Sequence, residues 1–345
     1  MKAEVKRAQQ KFLAENLKNK TVAIGGATGL IGARAVKYLL ELNETLNANI
    51  KILALCRNRE KFNRIYKNYK DNERISFVCF DEKTLPDAAA SVDYALCCAG
   101  ISGGTKMHLK EPVRVFDVAY GTAKNFLDFA VASGVKKVCF VSTYEIYGTP
   151  ENGELIKENA PCSLDTTVLR NIYSECKRMQ EAMCTAYSAQ HKIETVCGRL
   201  TSTFGYGVSY DDPRFFAEFA RCAVSDNDIV LKSSGATVRS YLDSDDAAAA
   251  FLYLLVCGKN LNVYNVTNMD NKLSVKEIAE KVIKISKTKA KLRFDIAEDA
   301  AALGFRKEGV TLMDAEKLYD LGFEPVYSID DTIGKLIDEI RNGAK

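Results

Sequence analysis

Residues 21–32, TVAIGGATGLIG, decide the fold. A short apolar run from Thr21 to Ile24 leads into Gly26-x-x-Gly29-x-x-Gly32, and an amphipathic pattern follows over 33–42. The order is strand, tight loop, helix. A diphosphate can rest on a helix N-terminus only where the loop backbone comes very close, so side chains must be absent at the turn and where helix packs on strand. The stretch therefore predicts a dinucleotide phosphate loop, with Gly26, Thr28, Gly29, Leu30, Ile31 and Gly32 around the diphosphate. Any tight strand-to-helix turn would use glycine in the same way, so the rest of the chain has to discriminate.

Composition narrows the ligand. The 345 residues carry 48 basic and 45 acidic side chains, for a formal charge of +3. They are interspersed, leaving no basic stripe for nucleic acid and no polybasic membrane patch, so a small molecule is expected. No apolar run approaches the roughly 20 residues that span a bilayer. The charged start MKAEVKRAQQK lacks a signal-peptide core, and a cytoplasmic location is expected. The 11 cysteines lie mostly in apolar segments (Cys79, Cys97, Cys98, Cys139, Cys197, Cys257) and read as reduced core thiols. With only His108 and His191 present and no cysteine pair at ligand spacing, no metal site is expected.

Residues 1–19 read as a helical extension with a thin apolar face (Val5, Phe12, Leu13, Leu17), able to dock on the main body or on a partner. From residue 20 to 200, apolar runs at 21–25, 50–56, 75–80, 92–98, 137–142 and 193–198 alternate with helical patterns at 31–42, 112–133 and 170–191. Short strands alternating with helices require a parallel sheet covered on both faces, a doubly wound α/β fold of Rossmann type. Beyond 200 the rhythm changes. Short runs at 229–232 and 262–266 and helical patterns at 274–286 and 312–321 suggest a smaller lobe over 201–345, with some segments returning to the sheet. Ligands of such sheets sit at the C-terminal strand ends, where this lobe would recognise substrate.

The second strand runs into Cys56-Arg57-Asn58-Arg59, without the carboxylate that would hold an NAD ribose. Arg57 could pair with a 2′-phosphate instead, which leans the cofactor, NAD(P), toward NADP; alternatively, Asn58 binds the ribose. Asp81, after the third strand, could accept from the adenine amino group. Another strand ends Ser142-Thr143, and Tyr173-Ser-Glu-Cys-Lys177 follows on a helix. Positions i and i+4 share a face, so the Lys177 ammonium can lie beside the Tyr173 phenol. That cation and a nicotinamide charge would favour phenolate, making Tyr173 a general base, with Thr143 bonding the same substrate hydroxyl.

In these motifs the chain resembles the extended short-chain dehydrogenases/reductases that act on nucleotide sugars. GGATGLIG, CCAGISGG, FDVAYGTAKNFLDFA, VSTYEIYG, YSECK and RSYLDSDDAAAAFLYL fall in the family's order, covering nearly everything from Lys20 onward. The resemblance implies that Ala99 and Gly100 line the dinucleotide, that Tyr173 and Lys177 also contact it, and that the substrate is a nucleotide-diphosphate sugar. It further implies oxidation at the sugar C4, followed by epimerisation, or by loss of water or carbon dioxide.

Ser-Thr-x-Glu145-x-Tyr-Gly looks like the 4,6-dehydratases and UDP-glucuronate decarboxylases. A carboxylate beside a 4-keto sugar can remove the C5 proton or position the substrate for loss of its C6 carboxylate. The dehydratases place an aspartate just before that glutamate, and here the residue is Tyr144, a poorer acid. Arg170 and Glu175 around the tyrosine resemble the decarboxylases' version, and 4-epimerisation is the third option. Arg239 matches the position that meets a diphosphate or a reacting sugar; Arg199 and Arg214 are weaker candidates. Ser202 stands where relatives carry a substrate-contacting asparagine, and Ser142 is a further substrate-side candidate. A homodimer is expected through the apolar stripe Val113, Phe116, Ala123, Phe126, Leu127 and Ala130 with 173–187, unless that stripe is core packing. A catalytically idle dinucleotide sensor or scaffold is the competing class, against which the intact Thr143, Tyr173 and Lys177 argue.

Overall fold

The computed structural model describes residues 2–89, 91–100, 104–148, 153, 155–296 and 308–343, without the side chains of 105–107. Seven parallel strands form the main sheet: β1 (Thr21–Gly25), β2 (Lys51–Cys56), β3 (Ile75–Cys79), β4 (Tyr94–Cys97), β5 (Lys137–Thr143), β6 (Glu194–Leu200) and β7 (Asn262–Val266). Their order is 3-2-1-4-5-6-7. The direction of winding reverses between β1 and β4, and the crevice that opens there at the C-terminal ends is the fold's ligand position.

Alternation along β1 assigns the two faces. Val22 and Ile24 pack with the helices Leu30–Leu46 and Ser244–Cys257, through Ile31, Ala35, Leu39, Ala248 and Phe251. Ala23 points the other way, into Phe126, Leu127 and Cys184 of the helices Pro112–Ala132 and Ile172–His191. Both faces are apolar, as a doubly covered parallel sheet requires. The helix Lys2–Leu17 docks on the main body: Leu13, Ala14 and Leu17 are buried, Phe12 stacks on Tyr253 at 4.9 Å, and Gln9 Nε2 donates to the Glu324 carbonyl at 2.6 Å.

The smaller lobe differs most from expectation. Five short strands form a second sheet, in the order Asn268–Ser274, Val238–Asp243, Val310–Met313, Leu155–Ile156, with Ser202–Phe204 also paired to Val238–Asp243. The helix expected over 312–321 is confined to Glu316–Tyr319, because Val310–Met313 is drawn into that sheet. The run at 229–232 pairs with Leu292–Phe294 in a separate two-stranded sheet. Ser244–Cys257 and β7 are the segments that return to the main sheet.

Two further expectations change. Ala123, Phe126, Leu127 and Ala130 are core residues, so the stripe proposed for subunit contact keeps only Val113 and Phe116 on the surface, beside Tyr120. All 11 cysteines are free, but Cys79 is exposed at the edge strand rather than buried. Among the described residues no helix is long and apolar enough to cross a membrane.

Candidate active site

The glycine loop closes onto the end of β4. Gly26 has φ +71°, and a Cβ there would lie 2.8 Å from the Ala99 Cα; a Cβ on Gly32 would lie 2.3 Å from the Gly26 carbonyl oxygen. Neither side chain could be accommodated without moving backbone, so the cradle is the shape a diphosphate needs at the N-terminus of Leu30–Leu46. Gly29 caps that helix, with its amide on the Gly26 carbonyl at 2.9 Å. Leu30 is half-buried, Ile31 and Gly32 are buried, and the half-buried Thr28 meets the Cys56 thiol. One brace carried no sequence signal: the Tyr66 phenol donates to the Ala27 carbonyl at 2.5 Å, fixing the loop from beneath.

Just beyond β2, Arg57 is exposed. Asn58 Oδ1 accepts from the Lys61 amide at 2.7 Å and so caps a helix. Asp81 Oδ1 accepts from the amides of Lys83 and Thr84 at 2.9 and 2.8 Å. Burial pushes the Asp81 carboxyl up, but these bonds and the Arg57 charge outweigh it and hold the group below its ordinary value. Oδ1 thereby holds the turn and fixes the carboxylate's orientation.

Thr143 closes β5. Its hydroxyl accepts from the Glu145 amide at 3.3 Å and meets the Tyr173 phenol. Lys177, one helical turn beyond Tyr173, is 8% exposed and donates from Nζ to the Val141 carbonyl at 2.9 Å. A Cβ on Gly100 would sit 3.6 Å from that ammonium, which places Lys177 beside the segment that follows β4. Burial lowers the Lys177 pKa against neighbouring thiols and Glu181. Burial also raises the Tyr173 phenol, and Glu145 raises it further, while Arg170, Arg214 and the Thr143 hydroxyl pull it down. Arg170 and Arg214 are therefore cations that favour the Tyr173 phenolate.

Beyond the phenol, Arg170 Nη1 lies 2.8 Å from the Glu145 carboxylate. Arg239 belongs to the same group: the Tyr144 phenol is the largest influence raising its pKa, and Glu145 adds to it. Tyr144 Oη is 3.5 Å from Ser202 Oγ. Arg214 stands at the rim, paired with Asp212 at 2.6 Å and stacked over Phe216 at 4.6 Å. Glu175 is turned away, pairing with Arg178 at 3.2 Å along the helix.

The glycine cradle and the Thr–Tyr–Lys group thus lie at the same C-terminal edge of the main sheet. The chain belongs to the NAD-dependent epimerase/dehydratase family. The match covers residues 22–267, and the protein is an enzyme of that class. It is 25% identical over 341 residues to human dTDP-D-glucose 4,6-dehydratase, covering 93% of this chain and 90% of that one. It is 24% identical over 249 residues to the UDP-N-acetyl-alpha-D-glucosaminuronate decarboxylase of Bacillus cytotoxicus, covering 70% and 74%. Its fold superposes with a TM-score of 0.79 on UDP-N-acetylglucosamine 4-epimerase from Methanobrevibacter ruminantium M1, at 17% identity over 94% of this chain and 99% of that one. Dehydratase and decarboxylase stand at nearly equal identity, so likeness does not choose a reaction within the epimerase/dehydratase family.

Two residues expected to contact substrate are used elsewhere. Ser142 lies on the opposite side of β5 from Thr143, as strand alternation dictates, and donates to Glu181 Oε1 at 2.5 Å. Arg199 is buried and binds Glu181 through Nε at 3.1 Å and Nη2 at 2.8 Å. Its Nη1 reaches the Tyr147 hydroxyl at 2.9 Å and the Glu158 carbonyl at 3.0 Å. Tyr147 in turn donates to Asn265 Oδ1 at 2.7 Å. These groups join the sheet to the smaller lobe, and Arg199, Tyr147 and Asn265 are buried there. Conversely, His108 has no place in the family-like motifs, yet its ring stacks on Tyr173 at 4.8 Å and 13°.

Proposed function

We propose that the protein oxidises the C4 hydroxyl of a nucleotide-linked sugar with bound NAD(P) and then cleaves at C6, by loss of carbon dioxide from a uronic acid or by elimination of water. Decarboxylation is the form that the charges favour. Arg170 and Arg239 gather around a single carboxylate, Glu145, leaving surplus positive charge beside the phenol. A uronate carboxylate would neutralise it, whereas the neutral C6 hydroxyl of a dehydratase substrate would not.

Tyr173 is the base that takes the C4 hydroxyl proton, Thr143 holds that hydroxyl in line, and Lys177 anchors the cofactor ribose. A bound dinucleotide supplies the two-electron acceptor. The resulting 4-ketone stands β to the C6 carboxylate, so C5–C6 cleavage releases carbon dioxide and leaves the electron pair delocalised over C5, C4 and O4. Arg170 positions the carboxylate, and Glu145 fixes Arg170. Dehydration would need an acid for the departing hydroxyl, and the residue before Glu145 offers only the Tyr144 phenol.

Gly26, Thr28, Gly29, Leu30, Ile31, Gly32, Ala99 and Gly100 would hold the dinucleotide. NADP is favoured over NAD because β2 runs into Arg57 with no acidic residue to hold the ribose hydroxyls, and a guanidinium suits a 2′-phosphate. Val113, Phe116 and Tyr120, 72%, 44% and 50% exposed, are the surface that a second copy would cover in a homodimer. Free thiols throughout suit a reducing cytoplasm.

The test is mass spectrometry of nucleotide sugars and nucleotide uronic acids after incubation with the purified protein. Loss of carbon dioxide from a uronic acid is expected. Loss of water would replace the first reading with dehydration, and an isomer of unchanged mass would make the protein a 4-epimerase.

A further inference from the structure

His108 and Arg170 each keep a buried nitrogen without a hydrogen-bond partner among the described residues, and both lie against Tyr173. The His108 ring is nearly parallel to the Tyr173 ring at 4.8 Å and 13°. Its Nε2 is buried and unpartnered, as is Nε of Arg170. The two side chains are neighbours, since the Arg170 charge acts on the imidazole, as does that of Glu145. A buried nitrogen left unpaired costs about 1–3 kcal/mol and is rare in native proteins. Such a cost at a reaction centre is explained when the missing partner arrives with the ligand.

We propose that His108 is a substrate-contacting residue of this active site, its Nε2 reserved with Arg170 Nε for oxygens at the reacting end of the sugar. The proposal rests on the nucleotide-sugar reading above. Burial and the Arg170 cation lower the His108 pKa against Glu145, so the imidazole stays neutral and can hydrogen-bond without adding charge. Its stacked face also holds the phenol ring in place, a second role that the experiment must separate from the first.

The chain has only two histidines, so nitrogen-15 histidine labelling gives a spectrum of two imidazoles. His191 lies at the far end of the helix that begins at Ile172 and serves as the internal reference. Saturating the holoenzyme with the nucleotide sugar that it converts should shift the His108 Nε2 resonance and leave His191 unmoved. In kinetics, His108→Phe keeps a stacking ring and should lose about tenfold in kcat/KM, in keeping with one hydrogen bond to substrate, with unchanged dinucleotide affinity. His108→Gln should recover part of the loss. A His108 resonance that does not move, or a His108→Phe enzyme as active as the parent, overturns the assignment. A wild-type enzyme that converts no nucleotide sugar overturns the functional reading itself, so the two failures are told apart.

Discussion

Two ionic clusters lie at the C-terminal ends of β5 and β6, and they are built on opposite terms. In the Arg199 cluster the guanidinium is matched by both oxygens of Glu181, the Tyr147 phenol and the Glu158 carbonyl, and Glu181 also receives Ser142. In the Arg170 cluster the guanidinium meets Glu145 at 2.8 Å while its Nε and the neighbouring His108 Nε2 find no partner among the described residues. A polar network with its members satisfied rigidifies and specifies a fold; one left incomplete is poised for something outside the chain. The same residue types at the same sheet edge therefore do two jobs, and the completeness of their hydrogen bonding distinguishes them.

The contrast is broken most directly at Tyr173. Tyr173→Phe should lower turnover by about 10³-fold, within the span of general base catalysis, while dinucleotide binding by fluorescence titration is nearly unchanged; survival of turnover would remove Tyr173 as the base. Next in size is Arg199→Ala, which strands the Glu181 carboxylate in the interior. It should cost about 3–5 kcal/mol in urea unfolding. Arg170→Ala should cost much less stability and yet abolish most activity. Equal stability losses for the two variants would erase the distinction between a structural and a chemical cluster.

How much of this was legible depended on sequence distance. The glycine loop and the Tyr173–Lys177 pair are local, each set by one turn or one helical period, and their residues could be named from spacing alone. Asp81 was nameable too, and an aspartate two and three residues before the amides that it caps is a turn signal in its own right. The second sheet was missed because its strands are short and mostly paired across large separations in the chain. Neither hydrophobic period marks them. Ser142 and Arg199 looked like substrate residues because their shared partner, Glu181, sits mid-helix with nothing to single it out. His108 stayed invisible for the same reason: its significance is a contact with a ring far along the chain.

A smaller effect sharpens the charge reading of the open cluster. Arg170 pulls the Tyr173 phenol down and Glu145 pushes it up, against a larger upward push from burial. Because the phenolate is the base, kcat/KM should rise with pH until that group ionises. Arg170→Gln removes a stabilising cation and should move the rise to higher pH. Glu145→Gln removes a like charge and should move it to lower pH. Profiles that coincide in the two variants would mean that neither charge reaches the phenol.

The smallest effect belongs to a third kind of cationic site, one that faces water. Arg57 is exposed, with Lys61 close by, so its attraction for a 2′-phosphate is screened and resembles a surface ion pair of up to about 1 kcal/mol. Arg57→Ala should thus weaken NADP by about fivefold at low salt and leave NAD unchanged, measured by titration calorimetry with each cofactor. The difference should shrink as salt is added, because exposed charges are screened over about 10 Å at 0.1 M. The Arg199 cluster, sealed from solvent, should keep its stability contribution under the same salt. Equal weakening of both cofactors by Arg57→Ala would place Arg57 at the ribose or the adenine rather than at a phosphate, and would return the second strand's end to an NAD-type reading.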